Sequence, residues 1–337
     1  MQEIKYTFIL PVHNGGEYIK ICLESILSQT RNDFEIAILE NASNDGTAEW
    51  LSKIDDPRVT VFPAESFLSI EENWARALQI PKQEFMTFIC HDDLVDSNYL
   101  EVMNNLITAV PEAGLYHAHF RLIDDNGISI RKCMPRPPIE TTAEFLFAIL
   151  EHYRDTFATG YVTRSVLYEA VGGIPRFEKL LYADFALWML LMKDSVCATS
   201  PEECFAYRLH ATNTTSTSAW ESYIKSMIQF MAFLKDFQAK DLEVANVIQE
   251  HQDVFLGFFL NWYQGVLVQE TKKNKKLDPK IREGIRDALY DLSPQSWKEF
   301  TGMRKIRVRE LINDSALTRR IYNSYINARY GKAPRIQ

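Results

Sequence analysis

The sequence predicts an α/β fold: a mainly parallel central sheet flanked by helices, followed by a helical C-terminal region. Three observations predict it. Short apolar runs alternate with helical periodicity along the first ninety residues. Those runs are apolar throughout, as strands covered on both faces are. From Trp220 onward strand character disappears.

The elements follow in order. Residues 6–12 (YTFILPV) form a buried strand. Ile19, Cys22, Leu23, Ile26 and Leu27 then recur at helical spacing. Phe34 to Leu39 (FEIAIL) is a second strand, and Asn44-Asp45-Gly46 a turn. Val59 to Phe62 is a short third strand. Ser69 and Glu72 have the spacing of a capping box, and Pro81 closes the helix they open. Phe85 to Cys90 (FMTFIC) is a fourth strand. Past residue 114 the pattern changes. Leu115 to Ile123, followed by Asp125-Asn126-Gly127, predicts a hairpin strand and its turn. Pro135 to Pro138 is a loop, and Thr141 with Glu144 caps another helix. Val171 to Pro175 is a turn, and Asp184 to Met192 a helix. A boundary is expected near residue 217, after the polar run Thr212 to Ser218, giving domains 1–217 and 218–337.

Composition narrows the function classes. Of the 337 residues 46% are apolar and 24% charged, which allows a sizeable core and argues against disorder. Net charge is −8, but residues 301–337 hold nine Lys/Arg against two acids. That tail carries +7 and the first 300 residues −15. An acidic body excludes a general nucleic-acid binder, which needs clustered cations on its binding face. Five cysteines with no C-x-x-C pair argue against a zinc ribbon or a disulfide framework. The opening MQEIKYTFILPVHN has no basic segment ahead of an apolar one, so no signal peptide is expected. Val254 to Val268 is apolar but short, and Asn261 and Gln264 interrupt it. A spanning helix needs about 20 residues. A buried helix is expected there, with a membrane-dipping helix as the alternative.

In a parallel sheet the ligand sits beyond the carboxyl ends of the strands. Three sets of polar residues follow those ends: His13, Asn14, Gly15 and Gly16; Glu40, Asn41, Ala42 and Ser43; His91, Asp92 and Asp93. All three should converge on one edge. Asp92 and Asp93 repel each other unless a cation neutralises them, and hard oxygen ligands suit Mg2+ or Mn2+. A solvated turn is the plainer reading of the same pair. Asn41 either offers its amide to a base edge or is an ordinary turn residue. Asp184, a lone acid within LYADFALW, is either an N-cap or a shielded carboxylate suited to base duty. His210 in AYRLHATNTT is either structural or a metal ligand.

The order and spacing of these segments carry more than each alone. PVHNGGEYIKICLESILSQTRNDFEIAILENASNDGT, FMTFICHDDLVDSNYLE, GGIPRFEKLLYADFALW and AYRLHATNTTS resemble the family 2 glycosyltransferases, which have a GT-A fold. The resemblance covers residues 4–216. It implies that Pro11, Val12, His13 and Asn14 line a nucleoside pocket, largely through backbone. Asn41 occupies the place of the family's base-reading Asp, with Glu40 beside it. His91, Asp92 and Asp93 fall on the DxD region. Asp92 is then the metal-binding carboxylate, Asp93 its neighbour, and His210 a further ligand of Mn2+ or Mg2+. Asp184 falls on the catalytic base.

Three positions depart from the family pattern. Cys90 replaces the first acid of D-x-D-D, Ala183 the acid before the base, and Asn41 the base-reading Asp. The implied reaction is a single displacement with inversion. It moves a sugar from a nucleoside-diphosphate donor, UDP or dTDP sugar favoured, to a hydroxyl of a glycan or lipid-linked acceptor in surface polysaccharide synthesis. A non-catalytic glycan- or nucleotide-binding module derived from a transferase is the alternative. A nucleotidyltransferase is disfavoured, because the loop after the first strand holds Glu17 and no cation.

The C-terminal segment resembles nothing in that family. Val308, Leu311, Ile312, Ile321, Tyr325 and Ile326 fall near helical spacing among Arg307, Arg309, Arg319 and Arg320. Such a basic amphipathic face either lies on an anionic membrane, through residues 304–335, or forms an outer face or a subunit contact in a homo-oligomer. The expected location is the cytoplasm, at the inner face of the membrane.

Overall fold

The computed structural model describes residues 5–210 and 219–330. The chain divides into two compact units. One comprises Met1–Arg176 and Ala183–Asn213, the other Phe177–Tyr182 and Thr214–Gln337. The boundary expected near 217, and the polar run around it, lie outside the described residues. The assignment of Phe177–Tyr182 to the second unit has no counterpart in the periodicity. Lys179, Leu180 and Tyr182 in that segment all have positive φ, which side chains of their size rarely adopt.

The first unit is built on one sheet. Strands β1 (Tyr6–Val12), β2 (Phe34–Glu40), β3 (Val59–Pro63) and β4 (Phe85–Phe88) are parallel neighbours in the order β3-β2-β1-β4. β1 is buried along its whole length, as an apolar strand covered on both faces must be. Helix α1 (Tyr18–Leu27) turns Ile19, Cys22, Leu23 and Ile26 into the core. Helix α2 (Thr47–Leu51) follows the turn after β2.

Helix α3 (Ile70–Ala75) opens with the capping box of Ser69 and Glu72. It passes into a 3-10 turn at Arg76–Leu78, so it ends before Pro81. β4 also stops two residues short of the sequence reading. The Ile89 N–H reaches the Ile9 carbonyl at 3.1 Å. The next rung would need an N–H from Pro11, which has none.

Beyond β4 the sheet becomes mixed. β5 (Leu94–Val95) lies at its edge, and helix α4 (Tyr99–Ala109) leads to β6 (Leu115–Ile123). β7 (Ser129–Lys132) folds back on β6 as the hairpin, and β8 (Ile139–Glu140) precedes helix α5 (Thr142–Leu150). β9 (Val162–Arg164) runs antiparallel between β4 and β6 and leads to α6 (Ser165–Ala170). Helix α7 (Ala183–Met192) is followed by β10 (Cys197–Arg208), parallel to β6.

The second unit contains helices α8 (Trp220–Gln238), α9 (Leu242–Glu250), α10 (Gln252–Lys272), α11 (Pro279–Leu292), α12 (Pro294–Gly302), α13 (Arg304–Asp314) and α14 (Ala316–Tyr330). α10 contains the apolar run 254–268 and buries Phe255, Phe258, Phe259 and Leu260. Among the described residues no helix is long and apolar enough to cross a membrane. Two polar nodes sit within this apolar packing. Glu310 accepts from the Tyr263 hydroxyl at 2.6 Å and from Arg286. Fully buried Asn313 accepts from the Leu277 N–H and donates to Thr271 Oγ1 and the Lys275 carbonyl.

Candidate functional site

β2, β1 and β4 are adjacent and parallel, so their carboxyl ends share one edge, and the three expected polar sets meet there. Pro11 and Val12 are buried in β1, and the Val12 carbonyl accepts the Asn41 N–H. They form the floor. His13 and Asn14 rise from it. His13 Nδ1 lies 2.8 Å from the Asn41 carbonyl. Asn14 has φ 53° and is held from both sides: its N–H donates to Ser43 Oγ, and its Oδ1 accepts the Asn44 N–H. The Gly16 N–H donates to Asp45 Oδ2. The loops after β1 and β2 are thus tied by side-chain-to-backbone bonds.

This geometry gives two of the expected residues partners within the protein. The Asn41 amide is taken up by backbone. It is buried, its Nδ2 donates to the Leu68 carbonyl at 3.0 Å, and its Oδ1 accepts the Leu68 N–H at 2.8 Å. Glu40, expected in the donor-binding set, is also turned inward, and its carboxylate accepts the Ala42 and Ser43 N–H groups. Both residues build the loop. The loop they build carries Phe67, which is 64% exposed and lies 4.8 Å from the His13 ring. The sequence reading passed over Phe67. Its only signal was a large aromatic within the polar stretch PAESFLS.

The acidic pair lies one strand away. Cys90, Asp92 and Asp93 hold their ligand-capable atoms within 4.8 Å of one another. Asp92 Oδ2 lies 2.6 Å from His210 Nε2, joining the end of β10 to the end of β4. His91 is half-buried beside them. Burial pushes the Asp92 carboxyl up, but the His210 bond and the nearby imidazole charges outweigh it, so the group titrates below its ordinary range. Asp93 is the opposite case. Burial first, and then the charge of Asp92, push it well above the ordinary carboxylate range. Its Oδ1 accepts the Arg208 N–H, while Oδ2 is buried and, among the described residues, within no recorded hydrogen bond. Burial also holds Cys90 as a neutral thiol, well above its usual pKa. Arg208, another residue the sequence reading passed over, donates through Nε to the Asp92 carbonyl and through Nη1 to those of Asp124 and Asp125.

Asp184 is the second residue of α7, inside the helix and not its cap. Its Oδ1 accepts the Phe185 N–H at 3.0 Å. The side chain is half-buried, and desolvation raises its pKa to about 7. Its charge reaches Cys90 and Tyr207, which also feel Asp92 and Asp93. The structure therefore brings Asp184 into the neighbourhood of the acidic pair. A carboxylate with that pKa can take a proton from a hydroxyl near neutral pH.

The donor set can be tested against a divalent ion. Asp92, His210 and the orphaned Oδ2 of Asp93 offer two oxygens and a nitrogen, which suit Mn2+ or Mg2+. The neutral Cys90 thiol does not.

Comparison with known proteins bears on the family and the fold. Residues 7–163 match the model of glycosyl transferase family 2. That match spans most of the first unit, which carries a family 2 glycosyltransferase domain. This glycosyltransferase is 23% identical over 234 residues to an uncharacterized glycosyltransferase of Rickettsia typhi, covering 66% of the chain and 72% of that protein. It is 24% identical over 221 residues to TuaG of Bacillus subtilis, a protein named for teichuronic acid biosynthesis, covering 65% and 84%. Among solved structures it resembles residues 1–349 of S. aureus TarS in complex with UDP-GlcNAc, with TM-score 0.69, 16% identity and 96% and 92% of the two chains covered. The mannosyltransferase PcManGT of Pyrobaculum calidifontis, in complex with GDP-Man and Mn2+, matches with TM-score 0.54, 15% identity and 96% and 88% covered. The fold of the glycosyltransferase is GT-A, extended by a helical C-terminal region.

Proposed function

We propose that the enzyme transfers a sugar, with inversion, from a nucleoside diphosphate to a hydroxyl of a glycan or lipid-linked acceptor. Asp184 is the base, and Asp92, Asp93 and His210 hold one Mn2+ or Mg2+ ion. The observation that carries this reading is the meeting of Asp92 and His210 at 2.6 Å beside Asp93, at the carboxyl edge of the sheet; the Asp184 carboxyl, which burial raises to about 7, supports its part as base. When bound, the ion neutralises charge on the departing diphosphate. Asp184 takes the proton of the acceptor hydroxyl while that oxygen attacks the anomeric carbon from the face opposite the diphosphate. The one displacement inverts the centre. His13 and Phe67 flank the nucleoside, and Pro11, Val12 and Asn14 shape the pocket through backbone. His91 stands at its edge.

UDP is the favoured nucleotide, with dTDP next. The complex of the TarS fragment with UDP-GlcNAc supports that choice. The Mn2+ complex of PcManGT supports the ion. TuaG, named for teichuronic acid synthesis, supports a role in polysaccharide biosynthesis. We place that work at the inner face of a membrane, with the basic segment 304–335 as the contact. Lys332 and Arg335 of that segment lie outside the described residues.

A melting-temperature screen with UDP, dTDP, GDP and CDP, each with and without Mn2+, tests the donor and the metal together. A ligand that binds only the folded state raises the melting temperature. A shift with UDP or dTDP that depends on Mn2+ is expected. Absence of a shift with every nucleotide would overturn the reading.

A further inference from the structure

The second unit holds a pocket of about 550 Å3, lined by none of the residues assigned above to sugar transfer. It lies among α10, α13 and α14, and its size falls in the range of small-ligand sites. Leu267, Val268 and Ile312 contribute apolar surface, and Arg304, Lys305 and Arg309 contribute three cations. Among the described residues no acid lines it.

The charges on α13 are sorted by partner. Glu310 bonds to Tyr263 and Arg286, and Asp314 to Arg282. Among the described residues Arg304, Lys305 and Arg309 have no carboxylate partner. Positions 304, 305, 308, 309 and 312 recur at three- and four-residue spacing, so they share one helix face. Apolar surface under three uncompensated cations complements one chemistry: an aliphatic chain ending in an anion. Charge complementarity selects the headgroup, and the apolar wall selects the tail.

We propose that this pocket binds an amphiphile with an aliphatic chain and a phosphate headgroup. The chain lies against Leu267, Val268 and Ile312, and the phosphate meets Arg304, Lys305 and Arg309.

Dodecyl phosphate, used below its micellar concentration on the full chain, is the probe. Inorganic phosphate and dodecyl maltoside are the controls. Dodecyl phosphate is expected to bind at least tenfold tighter than either. The double variant Arg304→Glu, Arg309→Glu should weaken it more than tenfold. Arg304 is exposed at the start of α13, where a glutamate suits the helix dipole, so folding should survive. Val308→Glu, at a residue 45% exposed, tests the apolar wall independently and should also weaken binding.

Equal binding of inorganic phosphate would overturn the tail, and equal binding of the maltoside the headgroup. Unchanged affinity in both variants would overturn the site. Phosphatidylglycerol vesicles then separate two sources of the same chemistry. Sedimentation of wild type but not of the double variant marks a membrane lipid, and no sedimentation of either marks a free aliphatic phosphate. Both leave the pocket assigned. None of these readouts involves sugar transfer, so failure here is distinct from failure of the proposed reaction.

Discussion

Desolvation at Asp184 has opposite effects on activity and on stability. Its carboxyl titrates near 7 in the folded chain against an ordinary value of 3.8. A raised acid binds its proton more tightly when folded, so its contribution to stability falls as pH rises from about 4 to about 7. Its activity as a base rises across the upper part of that window. Asp184→Asn should therefore cut kcat by about a hundredfold or more while changing the Kd for UDP less than about threefold. The same variant should melt higher than wild type at pH 8, with the gain shrinking as pH falls toward 4. Retained turnover would remove Asp184 as the base. A gain independent of pH would remove the desolvation account.

Phe67 acts at the same scale. It is mostly exposed, so Phe67→Ala should leave the melting temperature unchanged. If Phe67 stacks on a base, its loss costs about 1–3 kcal/mol, or roughly 5- to 150-fold in the Kd for UDP. An unchanged Kd measured by calorimetry would show that the ring has no part in donor binding.

At the scale of elements, the strand-terminal loops hold one another. Asn41 reaches across to Leu68, and Asn14 and Gly16 reach to Ser43, Asn44 and Asp45. Asn41→Ala removes both bonds to the Leu68 backbone. The expected cost is about 1–3 kcal/mol in urea unfolding, with weaker donor binding because Phe67 loses its support. If binding weakens and stability does not, Asn41 meets the base after all. The sequence showed where these loops begin, because apolar strands and the Ser69 and Thr141 capping boxes are local patterns. Cross-loop partners were hidden. Nothing in the local sequence tells Asn41 that Leu68, 27 residues on, will occupy its amide. β5 and β9, with two and three residues, carry too little periodicity to detect. Asp92 and His210 were each legible as candidates, but their meeting across 118 residues was not derivable from spacing.

At the scale of the molecule, each unit has its own means of cohesion. The first relies on a sheet covered on both sides. The second relies on helices joined through the Glu310 and Asn313 nodes. Asn313→Ala leaves the Leu277 N–H, Thr271 and the Lys275 carbonyl without their buried partner. A loss of about 2–4 kcal/mol is expected, read as faster amide exchange across 271–313. Exchange at wild-type rates would show that the node contributes nothing. The charge asymmetry of the chain was visible from composition alone. Its distribution along α13, with carboxylates paired and three cations facing a pocket, required the fold.

Pro11 ends the pairing of β1 with β4 by lacking one hydrogen atom. The parting of the two strands beyond that rung is therefore set by a covalent ring. An alanine at position 11 would restore the missing donor and let the two strands close one rung further, like a zip drawn past its stop. The parting that the wild type keeps permanently would then last only as long as that bond stayed broken.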